Sequence, residues 1–364
     1  MNLVQISIPP SVDNNGVMTS SWKRRGLPAY VLALLLTAFY VIVYWFPERL
    51  SWLTIMLEPL SQWMRRAPAD HWFLYGTLYT VAILVMGIRM LRRYRGNRYQ
   101  TFRTVSVMLF QLVAAYVLPA LFLAIERQDF YLTYFWPLKP EYLLPGGIDV
   151  LLSSGNSMLM FFGAWTLVLS VVAVPVLTYF FGKRWYCSWV CGCGGLAETL
   201  GDPYRQNGSY SMTSWKIERW MIHSVLALIA VVTAALWWAH IDAESIVAPY
   251  AHTMWRGYGF VIGGLFSGVI GVGFYPLLGA RVWCRFGCPM AAILGIMQKW
   301  FSRFRITTNG GQCISCGNCS AYCEMGIDVR SYAQRGLDIK RASCVGCGIC
   351  SSVCPRGVLR LENR

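Results

Sequence analysis

Charged side chains are scarce in this chain of 364 residues. Asp, Glu, Lys and Arg together make up only 13% of it, whereas apolar residues make up 56%. Soluble globular domains carry about a quarter charged residues. The low charge and the positive mean hydropathy of +0.44 therefore argue against an ordinary soluble domain. They predict a chain that spends much of its length within a lipid bilayer.

Acidic residues are the scarcer charge type, because 17 Asp and Glu stand against 32 Lys and Arg, a formal net charge of +15. In a soluble protein this excess would suggest a nucleic-acid partner. Here no recognition motif is present, and the basic residues gather at the ends of apolar segments. Membrane proteins concentrate Lys and Arg in loops that face the cytoplasm. We therefore expect a membrane and no nucleic acid as a partner.

Histidine is also rare, with only His71, His223, His240 and His252 in the chain. Haem iron in a membrane bundle is commonly held by axial histidines. The sequence offers no evident pair at matched depth on facing helices, so haem is not expected. His71 and His240 are predicted near the outer membrane face. They are candidate contacts for a quinone, with ordinary interfacial histidines as the alternative.

Six apolar segments are long enough to cross a bilayer, since the ~30 Å hydrocarbon core needs about 20 residues of helix. They are predicted at residues 27–46, 72–90, 105–123, 158–181, 220–239 and 258–278. The first is not expected to be a signal peptide, because a polar tail precedes it and its apolar run is too long. The proline-containing segment 126–157 is either an ordinary interfacial loop or a lid over a quinone pocket.

Lys and Arg are distributed unevenly among the predicted loops. They are concentrated before the first span, between spans two and three, between spans four and five, and after span six. Asp and Glu balance them in the alternate loops. This bias places both termini in the cytoplasm. All 13 cysteines would then lie where thiols stay reduced, and we predict a multi-pass protein of the bacterial inner membrane.

Cysteine is absent from the first half of the chain and dense near its end. The motif C-x-x-C-x-x-C-x-x-x-C occurs twice, as Cys313, Cys316, Cys319 and Cys323 and as Cys344, Cys347, Cys350 and Cys354. This run is typical of bacterial ferredoxins with two 4Fe–4S clusters, in which the fourth cysteine of each run binds the other cluster. A zinc site needs two C-x-x-C pairs and leaves the third cysteine of each run without a role.

The predicted ligand sets are therefore crossed. One cluster would bind Cys313, Cys316, Cys319 and Cys354, and the other would bind Cys344, Cys347, Cys350 and Cys323. Glu324 stands where the first run would normally carry proline. This departure weakens the turn constraint after Cys323 but removes no ligand.

A second pair of cysteine motifs follows the fourth and sixth predicted spans. The C-x-x-x-C motif occurs as Cys187 with Cys191, and again about 97 residues later as Cys284 with Cys288. Two thiolates cannot enclose a cube, but both motifs together supply four, enough for a third 4Fe–4S cluster at the membrane edge. The alternatives are palmitoylated or structural cysteines, or one cluster per motif completed by other groups. Cys193 is either an inert thiol or an alternative ligand.

With these paired motifs, residues 158–364 resemble the NapH/NosR/CcoG-type membrane polyferredoxins. That family combines several spans, two juxtamembrane C-x-x-x-C-P motifs and a C-terminal double-cluster ferredoxin. The C-x-x-x-C cysteines and the eight ferredoxin cysteines match its pattern, whereas Gly192 and Cys193 follow Cys191 where the family has proline. The resemblance implies an electron-transfer subunit of a respiratory or redox-maturation system, often one that draws on quinol.

We expect an all-α polytopic membrane protein with about six transmembrane helices and a C-terminal α+β ferredoxin domain with two clusters. Residues 1–26 would form an N-terminal tail, 27–305 the membrane domain and 306–364 the ferredoxin. The predicted function is electron transfer between the quinone pool and a partner redox protein, as a subunit with oxidoreductase chemistry. The alternative is a copper reductase or an assembly factor for a respiratory oxidase.

Overall fold

The computed structural model describes residues 26–153, 155 and 157–364, so the predicted N-terminal tail lies outside the described residues except for Gly26. Helix predominates in the described part of the chain, as the apolar composition predicts. Its α-helices before the C-terminal region are α1 (Gly26–Trp45), α2 (Ser51–Arg65), α3 (His71–Arg93), α4 (Arg98–Leu109), α5 (Leu118–Glu126), α6 (Pro145–Ser153), α7 (Ser157–Val168), α8 (Val174–Phe181), α9 (Arg184–Cys187), α10 (Gly192–Thr199), α11 (Met212–Ile241), α12 (Ala248–Tyr258), α13 (Tyr275–Leu278) and α14 (Pro289–Trp300).

Wider and tighter helical turns join several of these helices. The π-helical segments are Phe110–Val117 between α4 and α5, Leu169–Ala173 between α7 and α8, Gly259–Ile270 after α12, and Trp283–Gly287 before α14. The 3-10 turns are Pro47–Leu50, Pro140–Leu143, Asp202–Asn207 and Gly310–Gln312. A π segment is an uncommon irregularity that is often found at functional sites, and the last of these segments carries Cys284.

Five helical segments are long and apolar enough to cross a membrane. They are Gly26–Trp45, His71–Arg93, Arg98–Glu126, Ser157–Phe181 and Met212–Ile241. The sixth predicted span is broken, because the helix that ends at Ile270 passes into a turn before α13. Gly273 lies in that turn, and a Cβ atom there would meet Thr37 Oγ1 of α1 at 2.6 Å. Five candidate membrane-spanning helices are therefore present among the described residues, and the predicted count of six is not confirmed.

The connection after α5 enters the helical bundle. Phe135 packs on Tyr186 with ring centroids 5.2 Å apart, and the Tyr186 hydroxyl donates to the Thr133 carbonyl at 3.0 Å. Trp136 Nε1 donates to Thr233 Oγ1 at 3.2 Å. Thr233 lies eight residues before the end of α11, which is about 12 Å along a helix at 1.5 Å per residue. Residues 127–144, the re-entrant segment, therefore reach the neighbourhood of the first C-x-x-x-C motif.

The C-terminal region is built on a two-stranded antiparallel sheet. Strand β1 (Phe304–Thr308) pairs with strand β2 (Leu359–Asn363), with Phe304 opposite Asn363 and Thr308 opposite Leu359. The short helices between the strands are α15 (Asn318–Ala321), α16 (Val329–Gln334) and α17 (Ile349–Ser352). Because the strands join the two ends of this region, the two ferredoxin-type cysteine runs fold into one domain.

This C-terminal domain rests on the membrane part through the loop of residues 344–347. Four consecutive carbonyl oxygens of the loop accept hydrogen bonds from side chains outside the domain. In the order of the carbonyls, the donors are Gln298 Nε2 (2.8 Å), Ser188 Oγ (2.8 Å), Tyr99 Oη (2.7 Å), and Gln100 Nε2 with Arg103 Nη1 (both 2.9 Å). They belong to α14, the first C-x-x-x-C motif and α4, so three separate elements hold the second cysteine run.

Candidate iron–sulfur sites

The first cavity of the C-terminal domain is partly open to solvent. Four of its lining residues are Cys313, Cys316, Cys319 and Cys354, and its empty volume is about 350 Å³. Ser315 and Gly317 have φ values of 60° and 80°, the left-handed conformation that lets the backbone turn tightly around the cavity. The Cys316 side chain is exposed. This cavity, the outer cavity, therefore has a thiol at the protein surface.

The second cavity lies against the membrane part. It is lined by Cys323, Cys344, Cys347 and Cys350 and has an empty volume of about 380 Å³. Gly346 has a φ of 64°, and a Cβ atom there would lie 2.6 Å from Arg184 Cβ. Only glycine combines this turn with such close contact. This cavity, the inner cavity, is thus shaped jointly by the C-terminal domain and by the first C-x-x-x-C motif.

Each cavity receives three cysteines from one run and the fourth from the other run, which is the crossed arrangement that the sequence predicts. Burial raises the pKa of Cys344 to about 11 and the pKa of Cys323 and Cys347 to about 12. Such thiols carry protons at neutral pH, so iron that binds them as thiolates must release those protons. Four converging thiols fit a cube in number and chemistry. Their role as cluster ligands stays a prediction.

The four cysteines of the C-x-x-x-C motifs form a third group. Cys187, Cys191, Cys284 and Cys288 are all buried in one apolar core. All six pairs of these thiols are close enough that the charge on one thiolate affects the pKa of the other. Burial raises the pKa of Cys187 to about 12, whereas a hydrogen bond from Cys193 lowers the pKa of Cys191 to about 7. The structure therefore brings both halves of the repeat to one place, here called the membrane-edge site.

The second cysteine of each C-x-x-x-C motif precedes a helix in the same way. Cys191 is the N-cap residue of α10, and Cys288 is the N-cap residue of α14, where Pro289 opens the helix. Proline suits this first position because its missing N–H would have no helical partner there. A helix N-terminus favours negative charge. Both halves of the repeat therefore place a cysteine at a helix N-terminus, but burial outweighs this effect at Cys288 and raises the pKa of its thiol well above the ordinary value.

The spacing of these groups also bears on the kind of metal. Among the residues that the structure describes, no three His, Cys, Asp or Glu side chains converge closely enough to hold a single metal ion. A mononuclear site such as zinc needs four ligands at about 2.0–2.3 Å from one atom. A 4Fe–4S cube instead binds each thiolate to a different iron atom. The four cysteines at each cavity equal in number the four iron atoms of a cube.

Arg281 links the membrane-edge site to the C-terminal domain. Its Nη1 atom lies 3.7 Å from Cys284 Sγ and donates to the Cys187 carbonyl at 3.3 Å. Its Nε atom donates to Glu324 Oε1 at 2.9 Å. Glu324 directly follows Cys323, which lines the inner cavity. Two side chains in contact thus connect the membrane-edge site with the inner cavity.

Glu324 belongs to a buried group of alternating charges. Its carboxylate pairs with Arg205 and Arg281, while Glu198 pairs with Arg281 and Arg103. Burial opposes the charge on Glu324, but Arg205, Arg281 and Arg103 keep its pKa below the ordinary value. A buried ion pair is costly to break, because the remaining partner is left uncompensated. The residue that replaces proline after Cys323 is thus an interdomain ion-pair partner.

The candidate quinone contacts His71 and His240 have different surroundings. His71 begins α3 and packs against Trp72, with ring centroids 4.8 Å apart. His240 lies near the end of α11, with Nε2 3.7 Å from a carboxylate oxygen of Asp149. The structure does not bring the two histidines together within its described contacts. Their role in quinone binding stays a prediction.

Sequence reasoning misses several polar residues of the interior, including Gln111, Glu198 and Arg103. A signal for them exists, because a charge or an amide within an apolar segment is costly without a partner. Gln111 stands inside the third predicted span, and its side chain is buried. What the sequence does not reveal is which distant residues supply the partners.

Two protein-family models match the parts of the chain that carry the cysteine motifs. The model of the 4Fe-4S dicluster domain matches residues 312–359, which contain all eight cysteines of the outer and inner cavities. The model of a 4Fe-4S binding domain matches residues 164–207 and 260–307, each of which contains one C-x-x-x-C motif. The fold and the sites therefore define a helical, membrane-type protein with 4Fe–4S ferredoxin-type domains. The matches indicate 4Fe–4S clusters as cofactors.

The chain is also similar to curated proteins. It is 26% identical over 184 residues to YccM of Escherichia coli K12, whose name assigns it to electron transport, covering 47% of this chain and 48% of that protein. It is 26% identical over 166 residues to the methylamine utilization ferredoxin-type protein MauN of Methylobacillus flagellatus, covering 44% and 55%. It is 27% identical over 172 residues to MauN of Paracoccus denitrificans, covering 44% and 57%.

These similarities confirm the predicted resemblance at the level of electron-transport proteins of the ferredoxin type. The matches span about half the length of the curated relatives. No solved structure matches the chain. The chain is thus similar to YccM and MauN over part of its length and carries ferredoxin-type 4Fe–4S domains.

Proposed function

We propose that this protein is a membrane-bound electron-transfer subunit that passes electrons between the quinone pool and a partner redox protein. The ferredoxin-type domains, the membrane-spanning helices and the relatives in electron transport support this role. When bound, 4Fe–4S clusters supply one-electron redox chemistry. The protein supplies thiols, burial and positive charge around them, and Arg281 is well placed to offset negative charge at Cys284.

Three ligand sets follow from the placement of the cysteines. An outer cluster is held by Cys313, Cys316, Cys319 and Cys354, an inner cluster by Cys344, Cys347, Cys350 and Cys323, and a membrane-edge cluster by Cys187, Cys191, Cys284 and Cys288. The first two sets are supported by the two cavities that they line. The third is supported by the mutual proximity and burial of its thiols.

The single observation that carries the proposal is the order of the three sites. The outer cavity has an exposed thiol, Cys316. The inner cavity is pressed against the membrane part by the loop of residues 344–347. Arg281 and Glu324 then connect the inner cavity to the membrane-edge site. This order suits a relay from a soluble partner at the outer cavity to a membrane-bound donor or acceptor at the other end.

The proposal also includes the topology in the membrane. The broken helical segment from α12 to α13 would count as a sixth crossing, with its glycine-rich turn covered by α1. An even number of crossings places both termini on one side. The excess of Lys and Arg in alternate loops makes that side the cytoplasm. All three clusters would then lie on the cytoplasmic side of the bacterial inner membrane.

The decisive experiment counts clusters in the purified full-length protein and tests quinol as donor. We expect about 12 iron and about 12 sulfide per chain, falling to about 8 of each in Cys284→Ser. Cys193→Ser is the matched control, because it leaves all three ligand sets intact. Redox-titrated EPR should show three couples in the wild type and two in Cys284→Ser. A reduced quinol should bleach the visible absorbance of the wild type.

Two results would refute the proposal in different ways. If Cys284→Ser has the same iron content as the wild type, then the membrane-edge site binds no cluster. The ferredoxin role of the other two sites would still stand. Clusters that are neither reduced by quinol nor reoxidised by quinone would remove the quinone pool as donor or acceptor.

A second candidate function is a copper reductase or an assembly factor for a respiratory oxidase. The observation that favours it is Cys193, whose thiol is hydrogen-bonded to Cys191 at the membrane-edge site. A soft thiol next to a cluster suits monovalent copper. A deletion strain with normal quinol oxidation but a copper-poor oxidase would support this function. Equal copper content in both strains would exclude it.

A further inference from the structure

A buried amide in the membrane part has one end without a partner. Gln111 lies in the membrane-spanning helix Arg98–Glu126, and only 5% of its surface is exposed. Its Nε2 atom donates to Thr80 Oγ1 at 3.0 Å, whereas its Oε1 atom has no hydrogen-bond partner among the described residues. Such a group inside a membrane protein is costly. It calls for a ligand that the chain itself does not supply.

A glycine lets the backbone next to Cys191 approach this amide closely. A Cβ atom on Gly192 would lie 2.6 Å from Gln111 Oε1, 3.6 Å from the Tyr134 hydroxyl and 3.6 Å from the Tyr79 ring. Gly192 directly follows Cys191 of the membrane-edge site. An amide, a phenol hydroxyl and an aromatic ring therefore converge on one point beside that site.

Further tyrosine side chains surround the same region. Tyr40, Tyr75, Tyr79, Tyr134 and Tyr275 all lie within electrostatic range of the Cys193 thiol. The hydroxyls of Tyr40 and Tyr75 are 3.3 Å apart and share a hydrogen bond. Tyr79, Tyr134 and Cys193 lie deep in the protein yet keep part of their surface accessible, as residues around an internal space do.

The re-entrant segment completes this region from the opposite side. Tyr134 belongs to it and stacks on Tyr131 with ring centroids 5.4 Å apart. The Tyr186 hydroxyl donates a hydrogen bond of 3.0 Å to the Thr133 carbonyl. This bond holds the backbone next to Tyr134 in place. Tyr186 also directly precedes Cys187. The same contact therefore positions Tyr134 and ties it to the membrane-edge site.

We infer that this space, the Gln111 pocket, binds the head group of a quinone or quinol. This inference rests on the proposed function and assigns its membrane-bound substrate to named residues. A quinone ring is flat and apolar with an oxygen at each end, so it suits aromatic walls with a few convergent polar groups. The free Oε1 atom of Gln111 accepts a hydrogen bond from a hydroxyl of the quinol, and the Tyr134 hydroxyl donates to a carbonyl of the quinone. The location beside Cys191 puts the ring next to the membrane-edge site.

Binding is tested with the purified full-length protein in detergent, with ubiquinone-1 as probe for the oxidised protein, ubiquinol-1 as probe for the reduced protein, and quenching of tryptophan fluorescence as the readout. Gln111→Leu keeps the approximate size but removes the acceptor oxygen, and we expect its Kd for ubiquinol-1 to rise about tenfold, the factor for about 1.4 kcal/mol. Tyr134→Phe removes one hydroxyl and should raise Kd about fivefold, within the range for one hydrogen bond. Matched controls are Gln62→Leu and Tyr250→Phe, both at exposed positions, and neither should change Kd.

Iron content, measured on every variant, separates loss of binding from loss of folding. If Gln111→Leu loses iron, Tyr134→Phe decides the matter, because it removes a single oxygen. Unchanged Kd in a variant with full iron would overturn the pocket, even where quinol still reduces the wild type and the proposed function stands. A wild type that binds neither probe and is not reduced by quinol would overturn both.

Discussion

The two ferredoxin-type cysteine runs have the same spacing but very different surroundings. The first run turns around the outer cavity, where Cys316 and its neighbours Ile314 and Ser315 are exposed. The second run presents the loop of residues 344–347 to the membrane part, and each of its four carbonyls accepts a hydrogen bond from there. Equal motifs therefore give unequal sites, because the neighbouring structure decides which one faces solvent.

This difference has a consequence for electron transfer. A soluble partner can approach the exposed thiol of Cys316, whereas none of the four cysteines that line the inner cavity is exposed. Glu324 and Arg281 lie on the route from the inner cavity to the membrane-edge site. The asymmetry gives the proposed relay two different ends, one with an exposed thiol and one within the membrane part.

The largest expected effect comes from breaking the buried charges beside the inner cavity. Glu324→Gln leaves Arg205 and Arg281 without their shared carboxylate. Removing one partner of a buried ion pair costs about 3–5 kcal/mol. We expect a lower unfolding midpoint and early loss of the inner and membrane-edge EPR signals in a thermal series, with the outer signal lost last.

Glu362→Gln is the matched control for that variant. Glu362 also lies in the C-terminal domain, but it pairs with Arg364, whose side chain is 64% exposed. Surface pairs contribute about 0–1 kcal/mol. Equal destabilisation by the two variants would show that the buried charges do not join the domains.

A second variant tests the close contact between the second cysteine run and the membrane part at Gly346. Gly346→Ala introduces a methyl group 2.6 Å from Arg184 Cβ, and overpacking of this kind costs about 1–3 kcal/mol. Gly336→Ala has a similar φ of 65°, but its Cβ would meet nothing closer than 4.0 Å. It should therefore show only the cost of the left-handed conformation, about 1 kcal/mol. Denaturant unfolding that ranks Gly336→Ala as the more damaging would contradict the tight contact at Gly346.

Because the outer site is exposed, an iron chelator should reach its cluster before the others. An iron chelator added to the intact protein should release about 4 iron per chain in a fast phase, followed by a slower phase for the rest. The EPR signal lost in the fast phase should also be the one that is missing in Cys316→Ser. A single phase for all of the iron would mean that the inner and outer sites are equally accessible.

The mildest of these changes concerns one hydroxyl at the loop of residues 344–347. Tyr99→Phe removes the donor to the Gly346 carbonyl, which the native hydroxyl reaches at 2.7 Å, and also the acceptor of Trp189 Nε1 at 3.3 Å. Net contributions of such bonds are about 0.5–1.5 kcal/mol. Tyr332→Phe serves as control in the outer half of the domain. Denaturant midpoints should fall for Tyr99→Phe alone; equal midpoints would count against this contact as part of the docking.

Much of the site is predictable because its candidate ligands occur in short motifs with a characteristic spacing. The crossed use of Cys323 and Cys354 follows from the spacing of the runs, and the structure places each beside the other run's cavity. The pairing of Cys187 with Cys284 could be proposed from the repeat, since neither motif alone has enough thiols. Their actual proximity depends on long-range folding and could only be proposed.

Other features were out of reach of the sequence. In the sequence Glu324 is evident only as a departure from proline, because its partners Arg205 and Arg281 are far away in the chain. The segment between the third and fourth spans allowed a surface loop as well as a lid, and its entry into the bundle depends on contacts such as Phe135 with Tyr186. The sixth span was predicted from apolar length, which does not register a turn at Gly271 and Gly273.

Composition and motif spacing alone indicate that this chain belongs in a membrane and carries ferredoxin-type cysteine runs. Hydropathy and ligand spacing are local properties, so they can be recognised in the sequence without knowledge of the fold. The tertiary structure decided which run is exposed, where the two C-x-x-x-C motifs meet, and which polar groups share the interior. Those outcomes depend on packing between segments that are distant in sequence, where burial makes an unpaired charge or amide costly.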